Sequence, residues 1–204
     1  MKQIQTTLLV DNFYSCPLAL QRVAKSLTYG DKEYEGHTYK GVGLGFEPEN
    51  IWDYISIALN RKVTPSGVSL FRLGTATEAP TTYIHADGGI ATGAAVLYLS
   101  EAPPEIAMAG TAFWRHKETG LTEWPSEQWC RENIGDSVKA VQDFWKKLDD
   151  EGADESKWQM TDLAGQRFNR ISLYPSKYFH SRYPKDAWGS TAEDGRITWT
   201  GFYS

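Results

Sequence analysis

Hydrophobic positions along the chain change period three times. A short apolar run, Leu8-Leu9-Val10, ends in the turn-forming Asp11-Asn12. Pro17 then opens a segment in which Leu20, Val23, Ala24 and Leu27 recur at helical spacing until Gly30. A second helix is predicted from about Pro48, with Ile51, Trp52, Ile55, Ala58 and Leu59 on one side. Helices ahead of strands brace a sheet from outside, so both stripes read as core. From Val68 onward the period falls to two, which predicts strands over residues 68–73, 81–85, 93–99 and 110–115. The stretch from about 116 to 164 is rich in Trp and charge. Val138, Val141, Phe144, Trp145 and Leu148 recur there at helical spacing, which predicts a helical insertion between strands. Residues 170–174, the segment around His180 and a closing strand over 196–203 return to β. No internal repeat or low-complexity tract is visible.

A chain of 204 residues can bury a full core, and this length fits one domain spanning 1–204 with an insertion better than two domains. The formal net charge of -5 gives no sequence-wide reason to expect a nucleic-acid partner. A local basic bias surrounds His180: Arg167, Arg170, Lys177, Arg182 and Lys185. It reads first as a solvated edge, with a funnel for an anion as the second reading. Cys16 and Cys130 have no paired spacing, which argues against a disulfide framework or a cysteine-ligated metal. The polar N-terminus does not resemble a signal peptide, and no apolar run approaches the ~20 residues that span a bilayer. The expectation is a soluble protein in a reduced, cytoplasmic setting, with no membrane partner.

The chemistry concentrates in Tyr83-Ile84-His85-Ala86-Asp87-Gly88-Gly89 and in Tyr178-Phe179-His180. On an extended segment, side chains at i and i+2 share a face, so His85 and Asp87 can reach one ion while Ala86 points away. Gly88 and Gly89 let the chain turn off at once. Two imidazoles and a carboxylate can occupy one face of an octahedral metal and leave the other open, the arrangement of non-haem iron sites. An isolated His-x-Asp is a weak signal. It strengthens in combination with the distant His180 and with Arg196 on the last strand. Alternation there puts Arg196, Thr198 and Thr200 on one face, and Ile197, Trp199 and Tyr203 on the other. Strands from both ends of the chain must close around such a site. The expected fold is mainly β with flanking α: a double-stranded β-helix, a cupin-like jelly roll of two facing sheets, with N-terminal helices and a helical insertion.

On these residues the chain resembles the iron(II)- and 2-oxoglutarate-dependent dioxygenase superfamily, nearest its prolyl-4-hydroxylase-like branch. The matching stretches are 83–89, 95–100, 110–113, His180 and 195–198, with 9–13 similar to N-termini of that branch. The resemblance covers roughly 8–115 and 165–204, and the insertion has no counterpart. It implies that His85, Asp87 and His180 bind Fe(II) and that Arg196 pairs bidentately with the distal carboxylate of 2-oxoglutarate. Tyr98 and Thr198 would add hydroxyls to that carboxylate. Arg182, two residues after the ligand His, competes for the cosubstrate or contacts substrate. The long spacing from His180 to Arg196 implies a loop that bulges outward. The implied reaction consumes O2 and 2-oxoglutarate, releases succinate and CO2, and hydroxylates a peptidyl or small-molecule substrate. Asp87 favours hydroxylation over halogenation, which in this superfamily lacks the carboxylate.

Two other classes stay open on the sequence. The same ligands could hold a catalytic zinc for hydrolysis. Alternatively, the chain is a non-catalytic jelly-roll binding protein in which these residues only pack. Trp114, Trp124, Trp129, Trp145 and Trp158 serve either as a cover over the cavity or as plain packing.

Overall fold

A computed structural model describes residues 7–34, 37–77, 83–87 and 91–204. The elements in chain order are β1 (Leu8–Val10), α1 (Pro17–Ser26), β2 (Tyr29–Tyr34), β3 (His37–Gly43), α2 (Ile51–Leu59), β4 (Leu70–Gly74), β5 (Gly93–Tyr98) and β6 (Gly110–His116). Then come α3 (Glu127–Asn133), α4 (Val138–Glu151), a single 3-10 turn (Glu155–Lys157), β7 (Trp158–Gly165), β8 (Ile171–Pro175), β9 (His180–Tyr183) and β10 (Arg196–Tyr203). Seven strands form a major antiparallel sheet in the order β1-β8-β5-β10-β4-β3-β2, and β7-β6-β9 form a minor one. His85 and His180 also exchange both backbone hydrogen bonds, at 3.0 and 2.8 Å. This isolated bridge lays the Tyr83–Asp87 segment against the free side of β9.

Alternation along each strand sorts the side chains into three cores. On the outer face of the major sheet, Phe71, Ala95, Leu97, Ile171, Leu173, Ile197 and Trp199 meet Leu20 and Ala24 of α1 and Ile51 and Ile55 of α2. Pro at the start of α1 supplies a fixed φ where no intrahelical N–H partner is needed. Full burial of such Ile, Leu and Phe side chains contributes roughly 1.5–3 kcal/mol each. Between the sheets lie Ala94, Val96 and Tyr98 of β5, Phe113 of β6, Ala164 of β7 and Tyr174 of β8, with Tyr178. On the outer face of the minor sheet, Ala112, Trp114, Trp158 and Phe179 pack with Tyr83, Ile84 and Leu148 of α4. The architecture is therefore helix, sheet, sheet, helix, the jelly roll expected from the strand pattern.

The structure corrects several expectations. The first helix stops at Ser26, where Leu27 turns extended, and Gly30 lies inside β2. The β2–β3 hairpin was not predicted: its first strand, Tyr-Gly-Asp-Lys-Glu-Tyr, is polar and carries no apolar alternation because it edges the sheet. The helical insertion was drawn too long, since residues 158–165 form β7, paired along β6. A register shift between Phe113 and Trp114 breaks the period there, and this masks the alternation. Thr81, Thr82, Gly88 and Gly89 lie outside the described residues, as does most of the N-terminus read for a leader. Tyr83 and Ile84 are not a ladder strand. The 184–195 loop does not simply bulge outward, because Ala187 and Trp188 are buried.

The tryptophans of the insertion are packing. Trp124 lies 6.1 Å from Phe179 and 6.3 Å from Trp145, while Trp129 stacks on Phe144 at 5.5 Å. All of this is on the outer side of the minor sheet. At one end, buried His116 bonds Glu151 through Nε2 at 2.7 Å and Thr119 through Nδ1 at 3.0 Å, tying β6 to the end of α4. Glu118 is also near, but Lys147 binds both its oxygens. Arg170 and Arg167 pair with Asp11, and Lys177 with Glu123, so these members of the basic bias are structural ion pairs. Both cysteines are free. Among the described residues, no helix is long and apolar enough to cross a membrane.

Candidate metal centre

His85, Asp87 and His180 meet, with one ligand atom of each lying within 4.8 Å of the others. Asp87 Oδ1 stands 3.8 Å from His85 Nε2, and its Oδ2 stands 3.5 Å from His180 Nε2. The backbone bridge between the two histidines brings their rings to 4.5 Å. The Asp87 N–H donates to the Ser176 carbonyl at 2.9 Å, which fixes the third ligand against the turn after β8. Ligands on one face of an octahedral ion stand about 3 Å apart, so a small closure would seat a metal.

Each imidazole is oriented by its own backbone. His85 Nδ1 lies 3.1 Å from the Tyr83 carbonyl, and His180 Nδ1 lies 2.8 Å from the Tyr178 carbonyl. A carbonyl can only accept, so each Nδ1 carries the proton and each Nε2 keeps a lone pair facing Asp87. This is the orientation a metal-binding histidine needs. Burial lowers both imidazoles to about 4, with the neighbouring His180 and the Arg72 charge also lowering His85. Burial raises Asp87 to about 6, against the pull of His85. The pocket thus disfavours charge on all three side chains and holds two neutral imidazoles beside a carboxyl that gains from a nearby cation.

Arg196, Tyr98 and Thr198 also come together between the sheets. Thr198 is the register partner of Tyr98, and the Arg196 guanidinium lies 5.7 Å from the Tyr98 ring centroid. Arg196 is 7% exposed; its Nε donates to Gln166 Oε1 at 2.9 Å and its Nη2 to the Gly110 carbonyl at 3.2 Å. The Tyr98 hydroxyl is shared with Thr111 Oγ1 at 2.8 Å and donates to the Ala164 carbonyl at 3.1 Å. Arg182 is the register partner of Thr111 and faces the same interior, its Nε donating to the Lys185 carbonyl.

Two inward residues escaped the sequence reading. Arg72 on β4 pairs with Thr198, so it extends the Tyr98–Thr198 row across a third strand. Its signal was a lone Arg within the apolar run of a predicted strand. Tyr174 on β8 places its ring 4.9 Å from that of His180 and is itself buried. Only its place at the end of the Ile171-Ser172-Leu173 run could have flagged it.

The insertion buttresses the ligands from behind. The Thr122 carbonyl accepts from Phe179 N–H at 3.0 Å, and Trp124 N–H donates to the Lys177 carbonyl at 2.7 Å. Trp114 Nε1 donates to Ser181 Oγ at 2.9 Å, beside His180. Gly152, ending α4, accepts from the Ile84 N–H at 2.9 Å, next to His85. A separate surface cleft of about 440 Å³ is lined by Tyr29, Lys40, Leu73 and Thr75, away from the triad.

The fold is similar to that of AviO1 from Streptomyces viridochromogenes Tue57, at 12% identity, over 98% of this chain and 90% of that one, with a TM-score of 0.57. A TM-score of 0.48 relates it to the non-heme alpha ketoglutarate dependent carbocyclase SnoK from nogalamycin biosynthesis, at 10% identity over 98% and 79% of the two chains. The same score relates it to a prolyl hydroxylase from Trichoplax adhaerens solved with a hypoxia inducible factor peptide fragment, at 12% identity over 97% and 82%. At such identities the likeness concerns the fold alone. No curated protein matches the sequence. A family of unknown function, DUF6445, matches residues 81–203, a stretch that holds His85, Asp87, His180 and Arg196, and the chain belongs to that family.

Proposed function

We propose that this protein is a non-haem Fe(II)- and 2-oxoglutarate-dependent dioxygenase that hydroxylates a small-molecule or peptidyl substrate. The observation that carries the reading is the triad itself: two Nε2 lone pairs and one carboxylate within 4.8 Å, with both tautomers set by backbone carbonyls. This donor set suits a ferrous ion with open positions. When bound, iron and 2-oxoglutarate supply the activation of O2, with release of succinate and CO2.

The chain's own residues hold and orient. His85, Asp87 and His180 would hold the metal through their two Nε2 atoms and one carboxylate. Arg196 faces the interior from β10 and takes the distal carboxylate of 2-oxoglutarate, giving up bonds to neutral acceptors for charge-assisted ones. Tyr98 and Thr198 flank it. Arg182 remains the candidate contact for substrate. Tyr98, Phe113 and Tyr174, buried between the sheets, close the interior side of the centre, while the His85 side chain, 35% exposed, stands on its solvent side. A buried Arg behind the triad favours this reading over zinc-dependent hydrolysis, which has no use for a second carboxylate seat.

The test is an anaerobic titration with Fe(II) and 2-oxoglutarate, watched for the visible charge-transfer band of the chelate, followed by a succinate assay across candidate substrates. His85→Ala and Asp87→Ala each abolish iron-dependent succinate formation. Retained turnover in either variant discards the assignment.

A further inference from the structure

Arg72 stands in the middle of β4, which lies against β10 on the side away from β5. It is the register partner of Thr198, itself the partner of Tyr98, so the three share the face turned toward the minor sheet. The residue is half-buried, and its Nε is wholly inside the protein. Burial and the neighbouring His180 lower the His85 imidazole, and the Arg72 charge adds to them. Of the three triad residues, His85 is the one that this charge bears on. It is also the ligand on the solvent side, with its side chain 35% exposed against 15% for Asp87 and 8% for His180. Arg196 lies one inward step further along β10, opposite Gly74, and bonds Gln166 and the Gly110 carbonyl there.

Packing does not call for a guanidinium at this position. Two residues earlier on the same face of β4 stands Leu70, the partner of Thr200, and across in β3 the partner of Arg72 is Val42. The fold accepts apolar side chains on both sides, and an apolar residue at 72 would avoid the cost of taking a charge partly out of water. The cosubstrate does not call for it either. A divalent metal, the Asp87 carboxylate, a dianionic 2-oxo diacid and the Arg196 guanidinium together are neutral. Arg72 is a further positive charge, set beside the exposed ligand where a third reactant approaches. Its planar fork matches a carboxylate or phosphate bidentately.

We propose that the substrate carries an oxyanion, a carboxylate or a phosphate, and that Arg72 binds it on the His85 side of the centre. The assignment rests on the oxygenase reading and narrows it, since it excludes neutral substrates.

The probes are N-acetylglycine and its neutral amide, N-acetylglycinamide, which differ by one charge at nearly equal size, with inorganic phosphate as the second anion. Each is titrated into protein loaded with Mn(II) and 2-oxoglutarate, and binding is read from relaxation of the probe's methyl protons, or of the phosphate phosphorus, by the bound Mn(II). At least one anion binds saturably and about tenfold or more tighter than the amide, and which one does so identifies the oxyanion. Arg72→Gln weakens that binding about tenfold, the loss of one charge-assisted pair, while affinity for Mn(II) and 2-oxoglutarate stays within about twofold. The proposal is overturned if neither anion outbinds the amide on the wild type, or if the anion binds Arg72→Gln as tightly as the wild type. A tenfold loss of 2-oxoglutarate affinity in Arg72→Gln also overturns it, because Arg72 then serves the cosubstrate. Should Arg72→Gln not fold, Arg72→Met replaces it, and failure of both variants to fold makes the role structural and ends the proposal. All of these outcomes leave the oxygenase reading standing; failure of the wild type to bind 2-oxoglutarate with Mn(II) overturns both.

Discussion

Lowering the pH from 7 to 5 should weaken divalent-metal binding to the triad by about one decade, and the size of that loss tests the electrostatics of the site. Only the deprotonated ligands bind metal, so affinity falls as each group takes up its proton. Burial raises Asp87 to about 6 and lowers both histidines to about 4. The carboxylate fraction then drops about tenfold across this window while the imidazoles stay almost wholly neutral, a loss of about 1.4 kcal/mol. Ordinary values of 6.5 for the imidazoles and 3.8 for the carboxyl reverse the roles. The two imidazoles would then cost about 2.8 decades, or about 3.8 kcal/mol, and the carboxylate almost nothing. His85 is the weaker half of the argument, because its side chain is 35% exposed against 8% for His180, and water moderates its shift. The assay is the concentration of free Mn(II), read by electron paramagnetic resonance during titrations at several pH values. A loss near three decades between pH 7 and 5, or none at all, would refute the picture of a dry pocket holding neutral imidazoles.

Gly152→Ala would place a methyl 2.2 Å from the Ile84 carbonyl and 3.1 Å from that of Asp149. The segment leading into His85 must shift, so we expect a loss of about 1–3 kcal/mol in urea denaturation together with weaker Mn(II) binding. Stability lost with metal affinity intact would show that α4 does not position His85. Ser181→Ala leaves Trp114 Nε1 buried without its acceptor, and the expected cost is about 1–3 kcal/mol by the same denaturation assay, with no cavity large enough to explain it. Arg196→Gln should leave Mn(II) binding unchanged and weaken 2-oxoglutarate binding about ten- to a hundredfold, as calorimetry would show. An unchanged cosubstrate affinity would move that role to another inward guanidinium, Arg182 or Arg72.

How much of this was legible in advance depended on whether the signal was local. His85 and Asp87 could be paired from their spacing because side chains two apart share a face wherever the chain is extended. The alternation of β10 placed Arg196 and Thr198 opposite Ile197 and Trp199, and the structure keeps that division, with Ile197 and Trp199 in the helix-facing core. In the stripes of α1 and α2, Leu20, Ala24, Ile51 and Ile55 are likewise buried, with Leu27, Trp52, Ala58 and Leu59 packed partly buried around them. The β2–β3 hairpin was illegible because an edge strand with solvent on one side needs no apolar period. The strand β7 was hidden by its own bulge at Thr161, the extra residue between the partners of Phe113 and Trp114, and by charged neighbours.

Residue chemistry and local period were therefore open to reading along the chain: which segments are helix or strand, and which side chains could ligate a metal. Only the closed sheets decided which of them meet. Tyr174 faces His180 because β8 pairs with β5 in a register that sets it beside Ala94, and Arg72 faces inward because β4 pairs with β10 at Thr198. A slip of one residue in either pairing would turn the side chain to the helix-covered face. Register across strands distant in the chain comes from the summed burial of both faces. No local segment carries that quantity.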